Sequence, residues 1–115
     1  MKNFIVKLSK ELFEIKIKIE EELRCGNKTN EQLYNFITKS IEYLMNNRTG
    51  DPISKKLPIY KYFESKFGTT NLFILDVGKD AGAFYTSVSQ DEFNILQIIL
   101  EVHETHKEYE RKGNY

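Results

Sequence analysis

Apolar positions recur at helical spacing through the first half of the chain and give way to β-prone runs in the second. From Lys10 to Arg24, Leu12, Ile15, Ile19 and Leu23 follow Leu8 every three or four residues, with Glu and Lys between them. This spacing predicts an amphipathic helix, with Ser9 as its N-cap and Gly26 able to take the left-handed conformation that ends it. Ahead of it, Asn3 to Lys7 reads as a short strand. Thr29-Asn30-Glu31-Gln32 matches a capping box and predicts a second helix from there. Its stripe is Leu33, Ile37, Ile41 and Leu44, widened by Phe36 and Met45, and Asn46 to Gly50 marks its exit. Two consecutive helices on a short link suggest an antiparallel hairpin.

Asp51 to Leu57, with its proline and paired lysines, reads as a surface connection. Pro58 can open a short third helix carrying Tyr60, Phe63 and Phe67 as a packing stripe, closed by Gly68, with Tyr62 left open between packing and base stacking. Strand signals follow: Asn71 to Val77 is nearly continuous apolar, Gly78 to Gly82 is turn-rich, and Ala83 to Val88 is β-prone. Ser89 to Glu92 turns again before Phe93 to Val102. The economical reading is α+β: an N-terminal strand, a two-helix antiparallel hairpin, a short third helix, an antiparallel three-strand meander, and a short terminal helix or tail from about Glu104.

Length and charge narrow this picture. The 115 residues suffice for a single domain spanning 1–115, and the 17 Lys+Arg balance the 17 Asp+Glu. Attraction to nucleic acid must therefore come from local asymmetry. The one cysteine, Cys25, cannot form an internal disulfide, which fits a reducing, cytoplasmic setting. The N-terminus lacks the apolar core of a signal peptide, and no apolar run is long enough to cross a bilayer, so no membrane partner is expected.

The second half carries a resemblance. Leu57-Pro58 before a Tyr-rich helix, Gly68 ahead of Asn71-Leu72, Tyr85-Thr86 in a central strand and His106-Lys107-Glu108-Tyr109 near the C-terminus resemble the RelE/ParE toxin superfamily, in particular its archaeal RelE-like branch. The resemblance implies a toxin of a type II toxin-antitoxin pair, acting as a ribosome-associated mRNA endonuclease without metal or other cofactor. It also implies a cognate antitoxin, the ribosome and mRNA as partners, with a homodimer admitted. The alternative is a non-catalytic or degenerate member of the same fold, either a gyrase-directed toxin or a repurposed viral or mobile-element protein. One departure favours the alternative: many relatives carry an arginine three positions ahead of the Tyr-Thr pair, where this chain has Gly82.

Cleavage of mRNA by its own 2′-OH needs proton carriers and cations. By resemblance, His106, Tyr109 and Lys107 are the catalytic candidates, His106 because its ordinary pKa lies near neutrality. Arg111, Lys55, Lys56, Lys61 and Tyr85 are candidates for RNA contact; Tyr85 reads equally as core. The terminal charges equally fit a solvated helix face. His103 reads as a strand-end structural residue. The three-residue spacing of His103 and His106 differs from the four of the His-Glu-x-x-His zinc motif, so no metal is expected. Gly78 to Gly82 is too short and too acidic for a phosphate loop.

Overall fold

The computed structural model describes residues 3–105. In chain order these form β1 (Asn3–Leu8), α1 (Lys10–Arg24), α2 (Glu31–Met45), β2 (Asp51–Pro52), α3 (Pro58–Phe67), β3 (Phe73–Gly78), β4 (Ala81–Ser89) and β5 (Asn94–His103). The strands make one mixed sheet in the order β1-β5-β4-β3-β2. The expected meander β3-β4-β5 is antiparallel throughout. The N-terminal strand joins it at the far edge, parallel to β5. The α1-α2 connection carries the chain back over the sheet.

Local signals explain most boundaries. The Ser9 hydroxyl accepts from the Leu12 amide and donates to the Leu100 carbonyl, so one side chain caps α1 and ties it to β5. Gly26 (φ 85°) and Gly68 (φ 68°) take the left-handed conformation just past α1 and α3. Pro58 sits in the first turn of α3. The hairpin closes with Tyr34 donating to Glu20 and Asn30 to Glu22; such pairing is that of antiparallel helices.

Four expectations are corrected. The capping box does not form, because the Thr29 hydroxyl donates instead to Asn27 Oδ1 at 2.7 Å, leaving Asn30 as N-cap without a side-chain bond to the helix amides. The link after α2 is not all surface: Asp51 and Pro52 pair with Ile74 and Phe73, and Ile53 is buried. Met45 does not widen the α2 stripe, since it is 62% exposed at the helix end. Turn and strand boundaries also move. Strand β4 starts at Ala81, the turn narrows to Lys79-Asp80 with Asp80 at φ 60°, and Asn71 stays outside β3 to bridge Thr86 and Ser87 through its side chain.

The sheet separates two apolar layers. On one face Leu75, Val77, Ala83, Tyr85, Ile99 and Val102 pack against α1 and α2 through Leu12, Ile19, Ile37 and Leu44. On the other, Ile59, Tyr60 and Phe63 of α3 pack on Leu72, Phe84 and Leu100. A bulge puts two successive residues of β5 on the α3 face: Tyr85 pairs with Ile99 and Phe84 with Glu101, so Leu100 is the extra residue. Beyond it Glu101 and His103 stand on the α3 face while Val102 returns to the hairpin face.

Candidate functional site

The polar end of β5 is the place where titratable groups converge. The Glu101 side chain is only 7% exposed, and it accepts from the Tyr62 hydroxyl at 2.7 Å and from Lys66 Nζ at 2.8 Å through the same oxygen. Its second oxygen lies 2.9 Å from His103 Nε2. Tyr62 and Lys66 are one turn apart on α3, so both reach the strand from one helix face. Lys66 also reaches the Glu11 carboxylate at 3.0 Å, at the start of α1. Burial works to lower the Lys66 pKa, but hydrogen bonds to Glu101, Glu11 and Tyr62 outweigh it and hold the ammonium well above the ordinary lysine value. A cation held by two carboxylates is a clamp between α1, α3 and β5, with its charge already compensated for any anion that approaches.

Next to this clamp, Asp76, Gly82 and His103 form a row across β3, β4 and β5 on the α3 face. Gly82 lets the row open into a cavity of about 440 Å³, walled by Ile74, Phe84 and His103, with Asp76, Asp80 and Thr105 among its lining residues. The His103 ring packs against Phe84 at 4.8 Å between centroids. Ile74 leans over the glycine: a Cβ at position 82 would lie 2.9 Å from Ile74 Cδ1. Position 82 is therefore packed as a glycine, with two aspartates at its side. Carboxylates there oppose phosphate and favour cationic groups. A larger hollow, about 760 Å³, lies between the start of α1 and the end of α3; its charged lining mixes Lys10 and Lys66 with Glu11 and Glu14.

The expected site residues fall into three sets. Lys55, Lys56 and Lys61 are exposed, the first two before α3 and the third on it, where Lys61 borders an open hollow with Tyr62 and Lys66. Tyr85 is corrected: it is 2% exposed, stacks on Phe73, and its phenol oxygen accepts the Gly50 amide at 2.8 Å, so it is a core residue in no position to stack on a base. Burial pushes its hydroxyl pKa up, against the lowering effect of the Gly50 bond. His106, Lys107, Tyr109, Arg111 and the expected terminal helix lie outside the described residues. His103 is a buried strand-end residue, as its sequence context suggested. No cluster of three metal-ligating side chains occurs among the described residues.

Sequence reasoning missed the Glu101 clamp. Its signal was present: a glutamate inside the apolar run of β5, and a tyrosine and lysine four apart on a short helix. No helix among the described residues is long and apolar enough to cross a membrane. Comparison with family models, curated proteins and solved structures finds no match for this chain.

Proposed function

We propose that this chain is a RelE/ParE-like protein of toxin-antitoxin type that acts by binding protein partners and does not cut mRNA. The observation that carries this reading is the state of the strand position expected to hold the phosphate-binding arginine. It is Gly82, overlain by Ile74 and bordered by Asp76 and Asp80. Tyr85 is committed to the core and Lys66 to two carboxylates, which further supports binding over phosphate chemistry. The element order, a strand and helical hairpin on an antiparallel meander, supports the family part of the proposal.

A second reading is the ribosome-associated mRNA endonuclease, with His106, Tyr109 and Lys107 as its chemistry. The exposed lysines Lys55, Lys56 and Lys61 favour it, because solvent-facing cations just before and on α3 suit an RNA backbone. One experiment separates the two. The protein is induced in cells, and transcripts are mapped for cleavage within codons while ribosomes are pelleted and probed for it. Intact transcripts and no ribosome association, with a cognate protein co-purifying, are expected. In-codon cleavage that disappears in His106→Ala would overturn the binding proposal in favour of the endonuclease.

A further inference from the structure

The two edges of the sheet are unlike. On one side it ends in β2, a two-residue strand of Asp51 and Pro52, which is too short and too proline-blocked to template another strand. On the other it ends in β1, six residues with a regular ladder to β5. The Asn3 amide donates to the Phe93 carbonyl and the Ser9 amide to that of Ile99. In a parallel ladder the residues facing the neighbour alternate, so Asn3, Ile5, Lys7 and Ser9 point their backbone groups at β5. Phe4, Val6 and Leu8 then point theirs outward, and no described strand lies beyond them.

We infer that β1 pairs with β1 of a second copy of this chain, antiparallel and centred on Val6, joining two sheets into one. The strand is complementary to itself in this register. Placing Val6 opposite Val6 sets Phe4 opposite Leu8 on the hairpin face, and these are the residues whose amides and carbonyls face outward. Each such pair exchanges both of its hydrogen bonds. On the opposite face Ile5 meets Lys7, so the two Lys7 ammonium groups are never directly opposed, as they would be in a register shifted toward Leu8.

The surface beside the edge fits the same partner. Phe13 and Ile17, one turn apart on α1, are 53% and 47% exposed. Phe13 borders a hollow of about 400 Å³ with Val6, Leu8 and Ile41, next to the free strand. Lys16 on that rim is paired with Glu20 at 2.8 Å, which leaves no uncompensated charge from this lysine against a like copy. A second copy brings the same apolar rim to the same place, as a two-fold interface requires.

The inference is independent of the proposed activity and is tested on the full chain by sedimentation velocity from micromolar to sub-millimolar concentration. A species of twice the 13.6 kDa chain mass is expected. Val6→Pro removes an outward amide and no bond of the β5 ladder, at some cost in the packing of Val6 on the core, and it should weaken the dimer by roughly tenfold or more, since two hydrogen bonds at the axis are lost. Phe13→Glu, at an exposed helical position, should weaken it as well and serves should the proline variant fail to fold. A monomer throughout the range overturns the inference. So does a dimer that Phe13→Glu and a folded Val6→Pro both leave unchanged, or a chain that pairs only with a different protein.

Discussion

Replacing Gly82 by alanine asks whether the glycine is required by packing. The new Cβ would stand 2.9 Å from Ile74 Cδ1 and 3.1 Å from Ile74 Cγ1, where carbon atoms normally sit at about 3.5–4.0 Å. Overpacking costs about 1–3 kcal/mol, and because the atom in the way is the free end of a side chain bordering the cavity, the lower half of that range applies. Gly82 does not have a positive φ, so alanine adds no backbone strain and instead gains about 0.4–1 kcal/mol by restricting the unfolded chain. The net expectation is a loss of about 1 kcal/mol. Ile74→Val deletes the offending Cδ1 at a cost of about 1 kcal/mol by itself. In that background Gly82→Ala should be close to neutral. The double-mutant cycle is therefore expected to show a coupling of about 1 kcal/mol. Urea denaturation measures it: with a slope near 2 kcal/mol/M, Gly82→Ala alone should lower the midpoint by about 0.5 M. Additivity within about 0.3 kcal/mol, or a stabilised Gly82→Ala, would refute the claim that Ile74 occupies the place of a larger residue. Gly82→Arg shares the same Cβ, so placing a cation there needs the Ile74 change beside it.

Two further expectations concern the core and the clamp. Tyr85→Phe deprives the Gly50 amide of its acceptor and should cost about 1 kcal/mol in chemical denaturation, whereas an unchanged midpoint would mean the amide finds another partner. Lys66→Met leaves the buried Glu101 carboxylate without its ammonium; because Lys66 keeps a third of its side chain in solvent, the cost should be about 1–2 kcal/mol, less than for a fully buried pair. The folded pKa of Lys66 is raised above 10.5, so this contribution is complete below that pH and lost as pH rises through the folded value. Stability measured from pH 8 upward should therefore show a constant gap between wild type and variant up to about pH 10.5 and a narrowing one above it, and a gap that shrinks below that pH would contradict the assignment.

Much of this architecture could be read from residue patterns, because its long helices carry regular apolar stripes and its meander is divided by turn residues. The places that could not be read share a cause: a nearby group competes for the one the pattern relies on. Thr29 has the spacing of a cap, but Asn27 takes its hydroxyl first. Asp51 and Pro52 look like a connection, since a two-residue strand has no period and depends on β3 for its existence. Tyr85 alternates correctly for either face until the contact with Gly50 decides. Of the candidate site, the exposed lysines follow from composition. The Glu101 clamp joins residues 35 and 39 positions apart in the chain, a proximity only the folded sheet creates.

The bulge opposite Tyr85 stores one residue that the pairing of its neighbours does not need. Remove Leu100 and the pairs Tyr85–Ile99 and Phe84–Glu101 become consecutive: Glu101 keeps its phenol and ammonium on the α3 side, Val102 stays beneath the helical hairpin, and only one leucine leaves the α3 layer. A one-residue deletion there should thus cost little beyond one leucine's burial, whereas the same deletion within the regular ladder, at Ile98 for example, turns part of the strand over and should be far harsher.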